Sequence, residues 1–424
     1  MTRKKLLLIV GGAALLAIII AGAYWYFTKG RVKVEVVDMA IIADQQKHLA
    51  LTEEEKEKNI TVEEKAQEII DKKQSDAVKK ILGQQVKKEK EPEVKVVSII
   101  KISDESVMAP TFSADQKKIL YFDTKEKEFF QMGLNGENEN AITKNNFQNV
   151  EKIVWAQSKD KILITSRNSE KNIIENSVFD LASQSTQKID SKFQNPIISP
   201  AGNQIAYIYT ESDKNIFNVS IADIDGKNWR KVGLLSNSES ALSWVTAGRL
   251  VFHYPSKSRT SSSLYVYDVT EGKDSFVYLI DKFGFTTSVS PDGKRIVWTQ
   301  AEKGTRRPSL YTGELAKSQN GTKISLNGIA DKCAWQPDNT MVICGIPDNF
   351  SNYYYQPEDW MSGEFVSKDS FYQINTKANE ITKIAGSEQF SKEYDVDKPM
   401  VSADGKRMYF IRKHDKKLYA LVLP

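Results

Sequence analysis

From residue 96 onward the apolar positions fall into short runs separated by polar turns, and the whole pattern recurs. The related phrases are FSADQKKILYFD (112–123), WAQSKDKILITSR (155–167), ISPAGNQIAYIYT (198–210), WVTAGRLVFHY (244–254), VSPDGKRIVWTQ (289–300), WQPDNTMVICG (335–345) and VSADGKRMYFIRK (401–413). They are spaced about 43–46 residues apart, with one longer step before the last, a period in the range of propeller blades. Each reads as an apolar strand, a polar turn and a second strand rich in β-branched and aromatic residues. Pro-Asp-Gly suits the turn because Pro presets φ, Asp bonds its own backbone and Gly accepts positive φ. A third strand follows each pair, from EFFQMGL after the first to KLYALVL after the last. Two third strands run into LNGENENAIT and DIDGKNWRKV, a tight Gly turn and a fourth short strand. Four antiparallel strands repeated radially predict an all-β, seven-bladed propeller over 94–424. The seventh unit shows three strands, and an unfilled blade would leave a bare edge. VKVVSIIKI at 94–102 precedes the first full unit, and we expect it to supply the outer strand of the last blade.

The SPDG-type turn, the Tyr-containing third strand and the DG turn together resemble the TolB-like, WD40-like (PD40-type) propeller repeats, over nearly all of 96–424. The resemblance implies the fold and no single activity, since such propellers serve many roles. TolB itself carries an additional N-terminal α/β domain, whose pattern residues 31–93 lack.

Upstream the pattern changes. LLLIVGGAALLAIIIAGAYWYF, 6–27, has no charge and is long enough to cross a bilayer as a helix. An aromatic cluster at Tyr24–Phe27 and basic residues Lys29, Arg31 and Lys33 follow it, as at a membrane interface. The expectation is a cytoplasmic tail (1–5), a transmembrane signal-anchor (6–28) and an extracytoplasmic body; a signal peptide cleaved near AGA at 21–23 is the rival. Residues 29–93 read as a charged, partly helical stalk, with capping boxes at Thr52/Glu55 and Thr61/Glu64.

The net charge of +4 over 424 residues argues against a dedicated nucleic-acid binder. Three histidines lie far apart, and the first strands, expected to line the channel, are mostly apolar or hydroxylic, with Glu151, Lys152, Asp331 and Lys332 only at strand starts. No P-loop, GxGxxG, HExxH or GxSxG motif appears. The expectation is therefore no catalytic residue, no cofactor and no metal. Trp155, Trp244 and Trp335 share one repeat position and read as blade core, and DIDGKN (223–228) as a hairpin turn rather than a calcium loop. Cys333 and Cys344 fall on adjacent strands. A two-residue turn would oppose them, but the repeat favours a three-residue turn, which points them to opposite faces and predicts free thiols.

Partner binding is expected on the face shared by the second-to-third-strand loops and the blade connectors. There the long insertion 347–370 carries Phe350, Tyr353, Tyr354, Tyr355 and Trp360, and neighbouring loops carry Lys257, Arg259, Lys303, Arg306, Arg307, Lys413 and Lys416. The insertion either displays its aromatic residues or folds back as a lid over the channel. The function expected is a non-enzymatic, membrane-anchored scaffold binding an envelope protein or cell-wall polymer. The alternative is an exported propeller enzyme or binding protein acting on carbohydrate or peptide.

Overall fold

A computed structural model describes residues 97–423 apart from 212–215, 236–239, 255–256, 271–275 and 316–320. The expected anchor and stalk lie outside the described residues, among which no helix is long and apolar enough to cross a membrane.

The described strands form seven four-stranded antiparallel sheets. Their innermost strands are Val107–Phe112, Val150–Trp155, Gln194–Ile198, Ala241–Thr246, Thr287–Val289, Cys333–Trp335 and Val396–Val401, which begin blades 1 to 7 in order. Blades 1 to 6 each use four consecutive strands. Blade 7 does not: its outer strand is Ser98–Lys101, which pairs with Lys417–Val422 at the far end of the chain. Ser98 lies opposite Val422 and Lys101 opposite Tyr419. The innermost strands of blades 7 and 1 touch, so the ring is closed.

The second strands explain why the apolar runs lack alternation. In blade 2, Ile162 and Ile164 enter the cluster shared with blade 1, while Leu163 enters the one shared with blade 3. A strand buried on both faces reads as a continuous hydrophobic run. Among the described residues, seven apolar clusters fill the seven junctions between neighbouring blades. Trp155, Trp244 and Trp335 belong to these clusters, and the Trp155 and Trp335 indoles donate to the Ala109 carbonyl (2.8 Å) and the Ser288 carbonyl (3.3 Å) of the preceding blade.

The repeated turn is a self-contained hydrogen-bond unit. In blade 5 the Ser290 N–H donates to the Arg295 carbonyl (2.9 Å) and the Gly293 N–H to the Ser290 carbonyl (2.8 Å). Ser290 Oγ accepts from the Arg295 N–H (2.9 Å) and donates to Asp292 (2.6 Å), which accepts from the Lys294 N–H (3.1 Å). The residue in the Gly293 position (φ +68°) is left-handed in six blades: Gln116, Lys159, Gly202, Gly293, Asn339 and Gly405. Blade 4 uses a shorter turn, with Thr246 paired to Arg249. Asp404 and Gly405 are thus turn residues: Asp404 accepts from Ser402 Oγ (2.6 Å) and the Gly405 N–H donates to the Ser402 carbonyl (2.8 Å).

The same unit corrects the cysteine reading. Asn339 is left-handed (φ +56°), as the repeat requires, but four residues, not three, separate the bonded pair Gln336 and Met341. An even loop keeps the register, so Cys333 sits opposite Cys344. Both side chains enter the junction between blades 5 and 6, joined by a disulfide with S–S 2.06 Å. DIDGKN is a hairpin turn: the Gly226 N–H donates to the Asp223 carbonyl (2.8 Å), and Asp225 accepts from the Lys227 N–H (2.9 Å).

Candidate interaction face

The insertion leaves blade 6 after Met341–Pro347 and returns at Asp369–Asn375. Its middle is a one-turn helix, Glu358–Ser362, ended by left-handed Gly363 (φ +87°). The helix is too short to stand alone, and contacts with three other blades hold the insertion. Both Glu358 carboxylate oxygens accept from the Ser258 N–H (3.0 Å), and Ser258 Oγ donates to one (2.6 Å), tying the insertion to blade 4. Tyr355 Oη accepts from Arg259 of blade 4 (2.6 Å) and Arg306 of blade 5 (2.8 Å). Both guanidiniums also lie against the Tyr355 ring, at 4.7 and 4.2 Å. Arg306 first, then Arg259, holds the Tyr355 phenol below its ordinary value. On blade 7, Lys413 stacks on the Trp360 ring at 4.2 Å and donates to the Trp360 carbonyl.

The aromatic candidates therefore divide. Trp360 is 3% exposed, and with Ile329 and Phe365 it forms an eighth apolar cluster against which Phe350 and Tyr354 pack. This corrects the expectation of an exposed Trp360: its apolar ring is buried against Ile329 and Phe365, and its N–H finds the Asp395 carboxylate. Tyr353 stays 78% exposed, and Met361 and Val366 are also exposed. Arg259, Arg306 and Tyr355 converge; Arg307, Lys257 and Lys303 lie exposed on the same loops. Lys413 is taken up by Trp360, and burial lowers its pKa.

Beneath Trp360 lies an ionic network that sequence reading missed. Lys332 is fully buried; its ammonium donates to Ser367 Oγ (2.7 Å), Asp369 (2.8 Å), Asp395 (2.6 Å) and the Val396 carbonyl (3.0 Å). Asp395 also accepts from Trp360 Nε1 (2.8 Å), Ser367 Oγ (2.8 Å) and the Ser367 N–H (3.1 Å). Burial alone would raise the Asp395 carboxyl, but Lys332 and these donors hold it below the ordinary range. Asp369 has fewer donors, and burial raises it. One buried ammonium thus serves two buried carboxylates, and through Trp360 and Ser367 the network fastens the insertion to blades 6 and 7.

Under Met361, between the inner strands of blades 4 and 5, is a cavity of about 260 Å³ lined by His253 and Asp331. His253 Nδ1 lies 2.7 Å from the Tyr254 carbonyl. Burial lowers the His253 pKa and raises that of Asp331. The insertion is thus a lid over this side of the channel mouth.

No protein-family model matches the chain, and no curated protein is significantly similar to it. Among solved structures it is similar to an oligogalacturonate lyase in complex with manganese (TM-score 0.52, 12% identity, covering 77% of this chain and 91% of that one). The tricorn protease aligns at TM-score 0.50 and 10% identity, over 77% of this chain and 34% of that one. TolB from Acinetobacter baumannii aligns at 0.42 and 11%, over 71% and 67%. At these identities the likeness speaks to the propeller fold alone, and the TolB-like resemblance rests on the repeat pattern.

Proposed function

We propose that this chain is a membrane-anchored, extracytoplasmic β-propeller that works as a non-enzymatic scaffold, binding an acidic envelope protein through the lid face. The observation that carries the reading is the lid itself. It reaches from blade 6 to blades 4, 5 and 7, and it displays Tyr353, Met361 and Val366, three of the seven exposed large apolar side chains among the described residues. Exposed apolar groups on a rigid support, rimmed by Arg259, Arg306 and Arg307, suit a partner with apolar and acidic surface. The buried disulfide supports an oxidising compartment, and the apolar run 6–27 supplies the anchor.

The test is photo-crosslinking in native membranes, with a benzophenone amino acid in place of Tyr353 and, separately, of Trp229, followed by mass spectrometry. A protein crosslinked from the first position and absent from the second supports the reading. No product from Tyr353 overturns it. An enzyme working at the cavity that holds His253 and Asp331 would lose turnover in His253→Ala, and that outcome would favour the enzyme alternative instead.

A further inference from the structure

Blade 3 carries an open groove on its flank toward blade 2, with a volume of about 590 Å³, well within the range of small-ligand sites. The sheet register builds its floor. Tyr207 lies opposite Ser220 and Tyr209 opposite Asn218, while Ser220 lies opposite Lys231 on the outer strand. Alternate residues of a strand share a face, so these side chains form one surface. Phe193, from the connector between blades 2 and 3, stacks on Tyr207 with centroids 3.8 Å apart. Gly226 (φ +80°) brings the DG turn against the Phe193 ring, where an added Cβ would meet it at 3.5 Å. Trp229, just past that turn, is 67% exposed, and Tyr209 is 38% exposed. Two large aromatic faces thus stand in water at the rim of one groove.

The polar groups say what would cover them. Asn218 is 4% exposed. Its amide nitrogen donates to Glu211 (2.8 Å), while its buried Oδ1 has no hydrogen-bond partner. Asp190 and Glu211 add carboxylate acceptors, and Lys192 and Lys231 balance their charge. Among the described residues the site therefore offers flat apolar faces, carboxylate oxygens and no net charge. A pyranose answers each requirement: its C–H face stacks on an aromatic ring, its hydroxyls donate, and it is neutral. A simple cation would find the rings but also two lysines; a simple anion would meet two carboxylates.

We infer that the blade 3 groove is a binding site for a neutral saccharide. This inference is independent of the lid face, so either can fail alone. The test uses the full chain in a detergent without a sugar headgroup, titrated calorimetrically with cellohexaose, mannohexaose and N-acetylchitohexaose. We expect at least one to bind with a Kd between about 10 μM and 1 mM. Trp229→Ala and Tyr209→Ala, both exposed positions that leave the melting temperature in place, should each weaken it at least about tenfold. Ile173→Ala, an exposed apolar change on blade 2, should not. The inference is overturned if none of the three sugars binds at about 10 mM. It is equally overturned if binding survives Trp229→Ala, or if tetramethylammonium or a lysine-rich peptide occupies the groove and the sugars do not.

Discussion

The junctions between blades 6 and 7 and between blades 2 and 3 hold the same ingredients: a tryptophan, two acidic side chains and two lysines. At the first, Trp360, Asp369, Asp395, Lys332 and Lys413 turn on one another and exclude water. At the second, Trp229, Asp190, Glu211, Lys192 and Lys231 surround open space. The difference lies in what covers them. Blade 6 has a long insertion that folds over its junction, and among the described residues the junction of blades 2 and 3 has only a short connector. Aromatic and charged residues at a blade junction are thus no sign of function by themselves. Their enclosure is the sign: the closed junction buries its groups against one another and uses them for stability, while the open one leaves two aromatic faces exposed at the rim of a groove.

The sharpest way to break this comparison is to unbalance the closed junction. Lys332→Met leaves two buried carboxylates without their cation and should cost about 3–5 kcal/mol in urea unfolding. A loss under about 1 kcal/mol would mean that water reaches the network. Next, Asp395→Asn should cost more than Asp369→Asn, since Asp395 has four donors and Asp369 has one oxygen unpaired; we expect about 3 against about 1 kcal/mol. Removing both Cys333 and Cys344 as alanines should cost about 2–3 kcal/mol for a loop spanning 11 residues, and reductant should bring the parent protein to the same stability.

The pH dependence follows in size. Asp395 has a depressed folded pKa, so its contribution is complete above the ordinary value near 3.9 and is lost as pH falls through the folded value. Asp369, raised by burial, acts in the opposite sense: protonating it on the way down relieves a cost. Chemical unfolding followed from pH 6 to about 3 should therefore fall less steeply in Asp395→Asn than in the parent. The smallest expected change belongs to the open junction, where Trp229→Ala should leave stability within about 0.5 kcal/mol. A larger loss would make Trp229 a packing residue.

Much of the fold was legible because the propeller repeats one local solution. The Ser-Pro-Asp-Gly unit closes its own hydrogen bonds, so it announces its turn in any blade. Counting residues across that turn was harder. The repeat suggests three residues at the Asn339 turn, yet the loop has four, and the extra residue decides which way Cys344 faces. The sites were less legible because their parts come from different repeats. In the sequence Lys332 shows only as a charge at a strand start, because its partners Asp369 and Asp395 lie 37 and 63 residues away. The groove left a fainter trace: alternating Tyr207 and Tyr209 on one strand, and Trp229 directly after a turn, where a solvent-facing strand usually has a polar residue.

The closing strand has a mechanical consequence. The turn that carries Lys413 lies at the lid end of Lys417–Val422, so Ser98, opposite Val422, marks the other end of that ladder. The chain thus enters the ring from the side away from the lid. Tension transmitted through residue 97 would run along Ser98–Lys101 and load its four paired positions together, in shear. Blade 7 would bear that load before any other blade, and its failure would open the ring at a single seam.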